Sequence, residues 1–183
     1  LVLGLASLLA GSSGACRDRD GIDPTEAVFA DFGKRVDGYA ALHDRLSQAA
    51  GPLDETKSQL EIAVRAKALA DSIVAARAGA KQGDIFTAEA ATIIATLIRQ
   101  EYSRRPDSVM ETRDDAQDEL PDFVPRVNEL YPTTYPLATF PPTLLPLLPS
   151  LPEHLEYRIV GHHLILRDVE ANLIVDFMPR AVP

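Results

Sequence analysis

The stretch from Leu155 to Pro179, LEYRIVGHHLILRDVEANLIVDFMP, decides how the chain folds. Leu155, Tyr157 and Ile159 fall on one face of a strand. Leu164 and Leu166 share a face of a second, and Leu173, Val175 and Phe177 a face of a third. Gly161 interrupts the first pair and Glu170-Ala171-Asn172 the second, which reads as a small three-stranded antiparallel meander. Between the first two strands stand His162 and His163. Adjacent residues on a regular strand point to opposite faces, so they cannot chelate one ion. Gly161 and His162 therefore read as a turn, with His163 starting the next strand. The alternative is a metal site in which His162 and His163, on an irregular turn, are joined by Asp168, Glu170 or His154. A zinc site of recognised ligand spacing is not discernible there.

Working back from this segment, helical periodicity takes over. Asp23, Pro24 and Glu26 make a helix start, with a capping residue, a proline at the first position and an acid at the third. The seam Phe29, Phe32, Val36, Tyr39, His43, Leu46 alternates three and four, and Gly51-Pro52 ends it. His43 in that seam reads as a core-edge histidine bonded to a neighbour, and Asp44 points about 100° away from it. A second helix is expected from about Asp54 to Ala80 along Ile62, Ala66, Leu69, Ile73, Ala76 and Ala80. A third follows Thr87, with Ile94, Leu97 and Ile98 inward, and a weaker fourth spans Asp107 to Glu119. "GDIFTAE" imitates part of a calcium loop but lacks its acids, so it reads as a tight turn feeding a capped helix.

Composition then changes. Nine of the 14 prolines lie between Pro121 and Pro152, and "PPTLLPLLPSLP" repeats proline every third residue, the period of polyproline II. Its leucines make it too apolar for a typical proline-rich ligand, so it is expected to lie over the helices as a strap. The expected fold class is mainly α: an antiparallel bundle of three or four helices with a proline-rich strap and a small C-terminal antiparallel β-meander. The expected division is an export-signal remnant and linker over 1–22, a helical bundle over 23–120, and strap plus meander over 121–183.

With 183 residues, 46% of them apolar, the chain can build one real core. A formal charge of -9 opposes nucleic-acid binding, which needs a cationic surface to displace counterions. "LVLGLASLLAGSSGAC" has the uncharged run and small residues of an export signal without its basic start. Cys16, the sole cysteine, excludes an intramolecular disulfide framework. Gly14-Ala15 before Cys16 fits lipidation of that cysteine, which would attach the protein to a membrane, and "SGA" equally fits ordinary cleavage after Ala15. No G-x-S-x-G, phosphate loop or H-E-x-x-H occurs.

"GDIFTAEAATIIATLIRQE" and "LPSLPEHLEYRIVGHHLILRDVEANLIVDFMP" together resemble a group of uncharacterised exported bacterial proteins with a helical body and a terminal hairpin. The resemblance covers about a third of the chain and implies no activity. "VGHHLILRD…LIVD" is also similar to the terminal hairpin of some small periplasmic metal-homeostasis proteins. No site residue carries over from either. The expected role is an exported, envelope-associated interaction or structural protein. No catalytic residue and no cofactor are expected, and the partner expected is another protein or a second copy. The alternative is a periplasmic metal or small-ligand binder using the histidine hairpin.

Overall fold

Two strands near the C-terminus bury nearly every residue, and they need cover on both faces. The computed structural model describes residues 23–51, 58–104, 123–132 and 140–182. Among them are the helices α1 (Pro24–Ala49), α2 (Gln59–Ala76) and α3 (Ala88–Tyr102), a 3₁₀ turn (Leu145–Leu147), and the strands β1 (Leu155–Val160), β2 (His163–Asp168) and β3 (Leu173–Met178). The strands form one antiparallel sheet in the order β1-β2-β3. The expected fourth helix and Cys16 lie outside the described residues.

The chain is thus not the helical bundle expected above, but a helix layer on a sheet that shares one core with it. Phe32, Val36, Leu69, Ile73, Ile94 and Ile98 of the helices join one buried cluster with Leu155, Tyr157, Leu164, Leu166 and Leu173 of the sheet. A three-four seam shows which side of a helix is apolar, not what covers it. β2 and β3 carry "LIL" and "LIV", continuous runs that mark a strand buried on both faces. Residues 123–132 cover the second face. Phe123 and Tyr131 pack there with Val160, Ile165, Ile174 and Phe177. The amides of Asn128 and Tyr131 donate to Ile174 and Asn172 along the edge of β3.

The helix starts follow local chemistry. The Asp23 carboxylate accepts from the Thr25 amide, Ser58 from Glu61 and Thr87 from Ala90. The second helix stops at Ala76 rather than Ala80. Arg77 leaves helical geometry and donates to the Val175 carbonyl at 3.0 Å and to Asn128 at 3.1 Å, with its guanidinium 4.9 Å from the Tyr39 ring centre. Ile62, expected in the seam, is half exposed, as are Leu60 and Val64. The packed part of α2 begins near Leu69.

β3 holds a bulge. Leu166 pairs with Asp176 and Arg167 with Ile174, so Val175 is the extra residue. Val175 and Asp176 then both turn toward the helices. Phe177, expected beside Leu173 and Val175, lies on the opposite face. The fully buried Asp176 carboxylate accepts the amides of Gly83, Ile85, Phe86 and Phe177 at 2.8–2.9 Å. It therefore ties the loop between α2 and α3 to the sheet, with Gly83 at φ +90° making the turn.

In the proline-rich segment Leu145–Leu147 is a 3₁₀ turn, not polyproline II. Successive bonds from Leu144 to Pro141, Leu147 to Leu144 and Leu148 to Leu145 coil the chain. That coiling buries Leu144 and Leu148 in the main cluster and leaves Leu145 more than half exposed.

Three substitutions check this architecture by chemical unfolding. Asp176→Ala leaves several buried amides without an acceptor and is expected to cost about 3 kcal/mol or more, at 1–3 for each such group. Leu144→Ala is expected to cost about 2–5 kcal/mol, against less than about 0.5 for Leu145→Ala. Equal small losses at Leu144 and Leu145 would contradict the packing described.

Candidate functional site

Leu164, Leu166 and Asp168 alternate along β2, so Asp168 ends a row of buried leucines and faces the helices. His43 occupies an apolar seam position of α1 and meets it. The His43 Nδ1 lies 2.6 Å from Asp168 Oδ2, and the Tyr39 hydroxyl donates to the same oxygen at 2.7 Å. The Ala171 amide donates to Asp168 Oδ1 at 2.8 Å, which closes the turn between β2 and β3. That turn carries Asn172 at φ +52° and brings Glu170 round to the far side of the imidazole. Glu170 Oε2 lies 3.1 Å from His43 Nε2, and Ser47, one helical turn beyond His43, donates to Glu170 Oε1 at 3.2 Å.

His154 completes the group from the residue before β1. The pairing of Leu155 with Asp168 sets His154 beside Val169, whose amide donates to the His154 carbonyl at 2.9 Å. The His154 ring stacks on His43, with centres 3.9 Å apart and planes 12° from parallel. Its Nε2 is buried and has no hydrogen-bond partner. His43, Asp44 and His154 each place a ligand atom within 4.8 Å of the other two. Around them opens a cleft of about 440 Å³, lined also by Ser47, Gln48, Glu153, Val169 and Glu170.

The electrostatics follow from contact and burial. Burial by itself would lower the His43 pKa, but the hydrogen bond and charge of Asp168, then those of Glu170, outweigh it and raise it. With both ring nitrogens facing carboxylates, the doubly protonated ring satisfies all its partners. Burial would raise the Asp168 pKa. The bonds from His43, Ala171 and Tyr39 hold it below the usual carboxylate range. Burial, followed by the charge of His43, pushes His154 down, so the stack pairs a charged ring with a neutral one. Burial, then Asp168, drives the Tyr39 hydroxyl far up, leaving it a donor only.

The structure places His162 in the hairpin turn after Gly161, which has φ +55°, and joins the His162 carbonyl to the Val182 amide. His163 begins β2, edge-on to Phe177 at 6.4 Å. Neither belongs to the cleft. Of the residues considered as their companions, His154, Asp168 and Glu170 do assemble, but around His43. Asp44, set aside as a partner for His43, stands at the cleft wall. The sequence signal for Asp168 is its place in register with Leu164 and Leu166. A carboxylate on a buried face needs a partner from the facing layer. Comparisons with protein-family models, curated proteins and solved structures returned no match, so the chemistry of the site is read from its own geometry.

The His43–Asp168 pair makes stability pH-dependent in a defined sense. The folded His43 pKa lies above its ordinary 6.5, so its contribution is complete below pH 6.5 and lost as pH rises through the folded value. The folded Asp168 pKa lies below 3.8, so its contribution is complete above pH 3.8 and lost as pH falls through the folded value. The urea midpoint is expected to be higher at about pH 5.5 than at about pH 9, and the difference to shrink in His43→Gln. A wild-type midpoint that does not fall at the higher pH would contradict a charged His43.

Proposed function

We propose that this is an exported, envelope-associated binding protein, without enzymatic activity, whose cleft at His43 and His154 takes a small cation. The observation that carries the reading is the imbalance of charge at the wall. The single positive charge of His43 is shared by Asp168 and Glu170, whereas Asp44 and Glu153 line the same opening and form no ion pair with a lysine or arginine among the described residues. Like charges gathered in a concave, partly dry site lower the energy of a positive ligand more than scattered surface acids do. The overall charge of -9 works in the same direction.

Support for a binding rather than a catalytic role comes from the hydrogen bonds. Ser47 donates to Glu170 and not to an imidazole, and both nitrogens of His43 are spent on carboxylates. No imidazole is thereby positioned to activate that hydroxyl. Export rests on the uncharged run that ends in small residues at Cys16. No helix among the described residues is long and apolar enough to cross a membrane. Attachment, where it occurs, is assigned to a lipid on Cys16.

Two measurements test this. Imidazole resonances of His43 and His154 are expected to shift when full-length protein is titrated with zinc chloride or with 1,4-diaminobutane. Unmoved signals with both would sink the cation reading. Mass spectrometry of native protein is expected to find a chain beginning at or near Cys16, and a native chain that retains Leu1 would contradict export.

A further inference from the structure

We propose that the cation is a divalent transition metal of the zinc class, held by His43 Nε2, Glu170, His154 and Asp44. This rests on the reading of the cleft as a cation site and narrows it to one ligand chemistry.

A histidine that binds a metal through one nitrogen almost always donates its other N–H to a carboxylate, which fixes the ring and raises its basicity. Asp168 holds the Nδ1 side of His43 at 2.6 Å, and is itself held by Tyr39 and the Ala171 amide. The outer support is therefore complete before any ion arrives, and Nε2, bonded to Glu170, is the nitrogen on the cleft side. Ligands at 2.0–2.1 Å from a tetrahedral zinc stand about 3.3 Å from one another. His43 Nε2 and Glu170 Oε2 are 3.1 Å apart, close to that separation, so an ion that takes the place of the proton on Nε2 needs Glu170 to swing off the N–H axis but not to approach from a distance.

His154 supplies a second nitrogen. The stack keeps the two rings nearly parallel, and lone pairs in parallel planes do not converge on one ion. His154 must therefore turn. Its half-buried ring gives up no hydrogen bond at Nε2 in doing so. Asp44 is exposed, has its carboxylate already within 4.8 Å of both imidazoles, and closes the set as the fourth ligand. Two imidazoles with two carboxylates suit zinc-like ions rather than calcium or magnesium, which prefer all-oxygen shells. The proton on His43 Nε2 leaves to solvent as the metal enters, so the exchange balances and affinity rises with pH.

The test is cobalt(II) added to dialysed full-length protein, followed by visible absorption and calorimetry, with zinc chloride as competitor. One equivalent is expected to bind with the intense bands of four-coordinate cobalt and to be displaced by zinc. His154→Ala and Glu170→Gln, each confirmed folded by circular dichroism, are expected to weaken binding at least about 10-fold. The His162→Asn/His163→Thr double variant is expected to bind as wild type. Absence of one-equivalent binding overturns the inference. So does binding that survives both cleft variants but is lost with the double variant. If cobalt fails while 1,4-diaminobutane shifts the His154 resonances, the metal falls and the cation cleft stands. If neither acts, both fall.

Discussion

A carboxylate in a dry interior must have every lone pair answered, and Asp176 meets that demand with backbone amides alone. Gly83, Ile85 and Phe86 donate to it from the loop between α2 and α3, and Phe177 from its own strand. Because those donors belong to a loop, satisfying one side chain fixes a turn of backbone. The position of α3 follows, since Thr87 caps it directly after that loop. Phe86 in turn is set against Phe32 and Tyr157. The helix layer thereby reaches the sheet through a charged group, although nearly everything around that group is hydrocarbon.

Asp168, at the end of β2, does the same, but only Ala171 gives it an amide and its other two donors are side chains. Tyr39 and His43 come from one helix, so the carboxylate aligns α1 across the strands. The difference matters for function. Amides cannot change protonation or turn away, which makes Asp176 a fixed anchor. An imidazole can do both, and here it stands between a buried acid and an open cleft. On the proposed reading, structural support and ligand chemistry meet in one residue, His43.

The parts of this organisation readable in the sequence are those where one segment states its own requirements. Asp23 and Thr87 announce helix starts because a cap is a local bond, whereas the second helix, expected from about Asp54, is capped by Ser58. The turn at Gly161 is local for the same reason. Assembly between layers was harder to see. The seam of α1 showed an apolar side but not that a sheet would lie against it, so a bundle was the natural expectation. The runs "LIL" and "LIV" were the contrary sign, because a meander wet on one face does not bury three successive residues. Ile62 fits the period of α2 yet lies outside the packed region, which periodicity alone cannot reveal. His43 and Asp168 lie 125 residues apart, and only the meeting of two buried faces brings them together. His162 and His163 drew attention by adjacency, whereas the cleft histidines come from separate elements.

The bulge in β3 separates two roles that a strand residue normally combines. Pairing on either side of Val175 is the pairing a strand without it would have, since Ile174 meets Arg167 and Asp176 meets Leu166. The ladder therefore has no use for Val175. What that residue supplies is a carbonyl for Arg77 and a side chain for the core. A chain shortened by this one residue would keep the sheet in register and loosen its hold on the end of α2, leaving Arg77 to Asn128 and Tyr39. Tyr39 packs against that same guanidinium while donating to Asp168, so the spare residue lies three contacts from the carboxylate that orients His43. Strand length here is set by the helix it must catch.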